Sequence, residues 1–235
     1  MTDFVLVHGA WHGAWCWKRV LPRLWGAGHR AFAVTLSGVG ERVHLQSPAI
    51  TLDTHITDVA SVIDAEEMRG AVLVGHSYAG VVITGVADRL SRPDALGHLV
   101  YLDAVVPRPG ECWSSGHSAE TQAARRQAIA SQGVLLPPDP SVYGLSGADR
   151  DWVARRQTSH PGAVYDAPLD FDPARVQRWP RSFIDCTSPA LPTIAAMRQR
   201  VRSEPGWNVL EIPTGHDPMI SAPDALADAL LALAG

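Results

Sequence analysis

The chain has 235 residues, 46% of them hydrophobic and 19% charged, with a net charge of −4. That composition suits a globular protein with one large core and excludes a disordered chain. It holds no block of like charges and no apolar run of the roughly 18 residues that a membrane span needs, so neither nucleic acid nor membrane is an expected partner.

The start, MTDFVLVHGA, has no basic segment, and its apolar run stops at His8, so no secretory leader is expected. FVLV (4–7) predicts a strand buried on both faces. Segments 30–35, 71–75, 98–103, 182–187 and 208–212 read the same way. Continuous rather than alternating apolar runs fit a parallel sheet covered on both sides. Helices are predicted between them at 15–25, 54–67, 78–90, 194–201 and 223–233, with Asp53 as the N-cap of the second. Strand–helix alternation makes this an α/β fold. The stretch 107–180 breaks the rhythm. It holds many prolines, helical pieces at 119–131 and 149–158, and Trp113, Trp152 and Trp179. Those apolar rings need something to pack on, so this region is expected to be a helical cap over a core formed by 1–106 and 181–235.

Cys16, Cys112 and Cys186 are an odd number with no CxxC pair. Free thiols in a reduced, cytoplasmic protein are expected, acting as small hydrophobes.

The strongest local signal is VLVGHSYAG (72–80). A strand running through small residues into a helix makes a sharp turn that lifts the Ser77 hydroxyl above the sheet edge, as a nucleophile requires. The pattern G-x-S-x-G is met except that Ala79 fills its last place. The helix start behind Ser77 offers N–H groups to a developing oxyanion. HGAWHGAW (8–15) closes the first strand, and there the Ala10 N–H is expected to join that of Tyr78 as the second donor. Gly9 keeps the backbone open to a substrate. His8 and His12 are four apart, but without HExxH they do not read as a metal pair; His8 is expected to hold the loop by hydrogen bonding. PTGHDPM (213–219) follows the last strand, and His216 there stands in the chain order of a catalytic base. His76 is its rival but projects away from Ser77. Gly9, Trp11, His76 and Trp152 are the expected pocket residues. The other histidines, His117 and His160 among them, read as surface or packing residues.

HGAWHGAWCW, LSGVGERVHL, TLDTHITDV, VGHSYAGVVITGVADRL, VYLDAVVP and IPTGHDPM together resemble a bacterial esterase family. It is allied to plant methyl esterases and hydroxynitrile lyases within the α/β-hydrolase superfamily. The resemblance spans nearly the whole chain and weakens at 107–180. It implies six parallel strands, a helical cap and no cofactor, with Ser77 as nucleophile, His216 as base, and Ala10 and Tyr78 as oxyanion donors. The lyases carry threonine where this chain has Gly9 and lysine where it has Asp217, so their features are missing here.

One departure matters more. The family places its triad acid after the strand matching SFIDCT, usually as CTED, and here those positions read Cys186-Thr187-Ser188-Pro189. Proline cannot orient a histidine. Asp103, ending the strand 98–103, is the expected substitute. Asp185, or no acid at all, is the alternative. The implied activity is hydrolysis of a small hydrophobic or aromatic ester, thioester or lactone. The rivals are a cofactor-free lyase or oxygenase using a His216–Asp103 dyad, and a binding protein that has lost its chemistry. A small-molecule substrate is the expected partner, with a homodimer as the assembly to test.

Overall fold

The computed structural model describes residues 1–234. Six parallel strands form the main sheet in the order β2-β1-β3-β4-β7-β8. These are β1 (Asp3–Val7), β2 (Arg30–Val34), β3 (Ala71–His76), β4 (Leu96–Leu102), β7 (Arg181–Cys186) and β8 (Trp207–Ile212). All six predicted strands are present. Every residue of β1 and β3 is buried, as their continuous apolar runs require. Each fully buried Val, Leu or Phe there contributes about 1.5–3 kcal/mol.

The helices of the core are α1 (Leu21–Gly26), α2 (Leu52–Ala65), α3 (Ala79–Arg89), α7 (Ala195–Ser203), α8 (Pro218–Ser221) and α9 (Pro223–Ala232). Two sequence expectations are corrected. The helix read at 15–25 is split into a 3₁₀ turn, Ala14–Arg19, and α1. Pro22 lies in the first turn of α1, where its missing N–H is harmless, and it cannot extend a helix from upstream. Helix α2 is capped by Thr51, not Asp53. The Thr51 hydroxyl accepts from the Thr54 N–H (3.3 Å), and the Thr54 hydroxyl accepts from the Thr51 N–H (3.1 Å).

Between β4 and β7 lie α4 (Ala119–Gln132), α5 (Gly147–Ala154), α6 (Pro173–Gln177) and three 3₁₀ turns. Two-residue strands β5 (Val134–Leu135) and β6 (His160–Pro161) pair antiparallel, a detail no periodicity could signal. This segment is tied to the sheet edge. The Trp11 Nε1–H donates to the Leu135 carbonyl, the Thr158 N–H to the Trp11 carbonyl, and the His216 N–H to the Tyr143 carbonyl. Among the described residues, no helix is long and apolar enough to cross a membrane.

The register explains where chemistry gathers. His76 pairs with Leu102, Leu102 with Ile184, and Cys186 with Ile212, so the strands end together. Ser77 follows β3, Asp103 follows β4, and the His216 loop follows β8, all at the carboxyl edge where α/β sheets place ligands.

Candidate active site

Four non-glycine residues among those described have positive φ: Trp11 (65°), Glu67 (49°), Ser77 (56°) and Asp103 (41°). Three of them sit at this edge, and such strain persists only where the surroundings enforce it. The Ser77 N–H donates to the Leu102 carbonyl, and the Ser77 carbonyl accepts from Val105 and Gly80. The tightness of the turn explains its small residues. A Cβ on Gly80 would lie 1.9 Å from the Val105 oxygen. Ala79 is fully buried, and its methyl is accommodated.

His216 bridges the two strand ends. The Ser77 hydroxyl donates to Nε2 at 2.9 Å, and Nδ1–H donates to Asp103 Oδ2 at 2.6 Å. A carboxylate can only accept, which assigns the Nδ1–H tautomer. Asp103 is fully buried. Its other oxygen accepts from Arg198 Nη2 (2.7 Å), from helix α7. Arg198 is held in turn by Asp185 and by the carbonyls of Leu191 and Cys186. Asp185 is therefore not beside His216. Both its oxygens are taken by arginines, Arg198 and Arg202. Pro189, at the position of the family's usual acid, lies against Gly144.

The loop 9–12 beside Ser77 is fixed from several sides. His8 donates through Nδ1 to the Gly9 carbonyl (2.7 Å) and accepts from the Leu36 N–H (3.1 Å). Burial lowers its pKa to about 3, so it is a neutral hydrogen-bonding strut. His12 donates to the Ala10 carbonyl (2.8 Å) and, through Nε2, to Asp217 (3.1 Å). His160 Nδ1 accepts from the Trp11 N–H. The Tyr78 hydroxyl donates to His55, which donates on to the Ser37 carbonyl, anchoring that side chain away from the cavity. Among the described residues, neither the Ala10 nor the Tyr78 N–H has an acceptor. A Cβ on Gly9 would come within 2.8 Å of the Ser77 Cβ and of His76 Nδ1, so only glycine lets this loop approach the serine so closely.

His76 does not meet the Ser77 hydroxyl. Its Nε2–H donates to the His216 carbonyl (2.9 Å) and so ties down the loop that carries His216. Burial, then the neighbouring His216, push its pKa well down, and it is neutral. His76, His216 and Asp217 bring potential metal-ligand atoms within 4.8 Å of one another. Both His216 nitrogens and His76 Nε2 are already engaged, so the trio offers no complete set of free ligands.

A cavity of about 280 Å³ opens onto Ser77 and His216. Gly9, Trp11 and His76 line it, as expected from the sequence. Trp152 does not. Its ring packs edge-on against Trp15 (5.2 Å) between Arg19 and Arg156, outside the cavity. His117, read from sequence as a bland surface or packing residue, is a wall residue, as are Trp113, Arg125 and Tyr143. Arg198 was also missed. Its signal was present: Arg198 and Arg202 are four apart on a short helix that follows a strand containing a buried acid.

Comparison with known proteins agrees with this architecture. A family model described as "Alpha/beta hydrolase family" matches residues 4–229. The chain is 38% identical over 243 residues to the carbendazim hydrolyzing esterase of Nocardioides sp. (strain SG-4G), covering 99% of this chain and 100% of that one. It is 27% identical to methylesterase 2 of Arabidopsis thaliana, over 98% and 95% of the two chains. An extracellular α/β-hydrolase from a Paenibacillus species superposes with a TM-score of 0.87 at 20% identity, over 100% and 99% of the chains.

Proposed function

This chain belongs to the alpha/beta hydrolase family and is an enzyme of it, and from that premise we propose that it hydrolyses a small carboxylic ester through an acyl-enzyme on Ser77. The observation that carries the reading is His216, which bridges the Ser77 hydroxyl and the Asp103 carboxylate. Ser77 Oγ attacks the carbonyl carbon while His216 Nε2 takes its proton. The carbonyl oxygen becomes an oxyanion held by the Ala10 and Tyr78 N–H groups, each worth about 10²–10³ in rate. Collapse breaks the ester bond, and the alcohol leaves with the proton from His216. Water then attacks the acyl carbon and gives its proton to His216, which passes it to Ser77 Oγ as the acyl–Oγ bond breaks and the free carboxylic acid departs. Asp103 holds the Nδ1–H tautomer throughout and stabilises the imidazolium. The rings of Trp11, Trp113 and Tyr143 favour an apolar or aromatic ester, and we read 107–180 as the cap that selects it.

The test is Ser77→Ala with intact-mass detection of a fluorophosphonate adduct. The wild-type chain is expected to gain one adduct and to turn over p-nitrophenyl esters. The variant should lose about 10⁴–10⁶ in turnover with stability changed by less than about 0.5 kcal/mol. Full turnover by Ser77→Ala sinks the acyl-enzyme and favours proton abstraction by the His216–Asp103 dyad.

A further inference from the structure

The cavity wall carries one cation without a counter-ion. Arg125 lines the cavity from α4. Its guanidinium carbon lies 5.4 Å from the ring centre of Trp11, 5.3 Å from that of Trp113 and 5.5 Å from that of Tyr165. Nη1 is buried and has no hydrogen-bond partner. Among the described residues, no carboxylate comes within ion-pair distance of Arg125, whereas its neighbour Arg126 is paired with Asp166 through two hydrogen bonds. Burial pulls the Arg125 pKa below the usual arginine value, the mark of a desolvated charge. Three aromatic faces and the neutral Tyr165 hydroxyl offset part of that cost, but none of them supplies a counter-charge.

The rest of the wall sharpens the point. Among the described residues, no aspartate, glutamate or lysine lines the cavity. The two buried acids behind it already face histidines, Asp103 on His216 and Asp217 on His12. Among the described residues, Arg125 is thus the one wall cation that lacks a carboxylate.

We propose that the physiological substrate of this site is an ester that also carries a carboxylate, and that Arg125 binds this carboxylate while the ester carbonyl lies at Ser77. The inference rests on the hydrolase reading above. A planar guanidinium donates to a carboxylate through parallel N–H bonds, and in a cavity walled by aromatic rings such charge-assisted bonds are stronger than in water. The carboxylate can belong to the acyl side, as in a dicarboxylic half-ester, or to the alcohol side.

Three esters separate these cases: phenyl acetate, phenyl hydrogen succinate and 4-carboxyphenyl acetate. In Arg125→Met, the ratio of kcat/KM for the better anionic ester to that for phenyl acetate is expected to fall about 10- to 100-fold, chiefly through KM. Arg125→Lys should recover part of the loss, since it restores charge without the planar fork. Whichever anionic ester shows the effect identifies the side. An unchanged ratio overturns the proposal, as does an equal loss on all three esters, which would make Arg125 a clamp for the aromatic cage. A second readout does not depend on turnover. Trp11 and Trp113 flank the site, so tryptophan fluorescence can follow binding of phenylacetate against 2-phenylacetamide. Saturable binding of phenylacetate only, lost in Arg125→Met, supports the proposal even if no ester is hydrolysed; equal binding of both refutes it even if esters are.

Discussion

Asp103 and Asp217 are both fully buried, and each meets a histidine ring, His216 for one and His12 for the other. They differ in what balances their charge. Asp103 has Arg198 on its second oxygen. Among the described residues Asp217 has no arginine partner; its second oxygen accepts no hydrogen bond and lies 3.6 Å from His76 Nε2, and its counter-charge is His12. Burial lowers the His12 pKa, but the charge of Asp217 and its hydrogen bond outweigh that, and the net shift is upward. Burial likewise raises the Asp217 pKa, and His12, with smaller help from His76 and His216, brings it down to about 2. The pair therefore behaves as a buried ion pair bracing the loop that carries Ala10. On the proposed mechanism His216 must accept a proton from serine, and a base cannot be held charged in that way. At Asp103, Arg198 supplies a fixed positive charge on the second oxygen, so the carboxylate has a partner besides the His216 ring. On the proposed mechanism, the same residue types make a proton shuttle in one place and a brace in the other.

The largest expected effect separates the two acids by activity. Asp103→Asn should cost about 10⁴ in turnover, because an amide favours the wrong His216 tautomer. Asp217→Asn should cost far less turnover, and steady-state kinetics on one p-nitrophenyl ester compares them. Equal losses would end the distinction between shuttle and brace.

Arg198→Met tests the compensation. It leaves Asp103 Oδ1 without a partner and Asp185 with one arginine fewer, and breaking a buried pair typically costs about 3–5 kcal/mol. Denaturant unfolding measures that loss, and turnover should fall with it. Arg198→Lys should recover only part, since one ammonium cannot reproduce four separate contacts.

Asp217→Asn should also destabilise, by up to that amount, with a definite pH signature. The His12 pKa is higher folded than unfolded, so its stabilisation is complete below 6.5 and is lost as pH rises through the folded value. The Asp217 pKa is lower folded, so its stabilisation is present above 3.8 and is lost as pH falls towards about 2. The deficit of Asp217→Asn should therefore be widest between those limits and shrink on either side. A deficit constant from pH 4 to 9 would mean that the two residues are a neutral hydrogen-bonded pair.

The smallest effect is a control remote from both acids. Thr51→Ala removes the α2 cap and should cost about 1 kcal/mol with turnover unchanged.

The sequence by itself determined the six strands, their parallel character, the serine turn and the histidine that follows the last strand. Each rests on local causes: continuous apolar runs, glycine where a Cβ collides, and a hydroxyl on a strand-to-helix turn. Chain order and the shared carboxyl edge also pointed to Asp103. What local pattern could not decide was the acid's second partner and the cavity wall. Asp103 and His216 are 113 residues apart, and Asp103 and Arg198 are 95 apart. Nothing in either neighbourhood reports the other, because such pairs are selected by register across the sheet and by the angle at which α7 packs. Trp152 and Arg125 make the same point in opposite directions. Both stand in helical pieces of the 107–180 segment, one packed outside on Trp15 and the other facing the cavity. Which side of a short helix faces a cavity depends on how that helix sits on the sheet, and only the tertiary structure sets that.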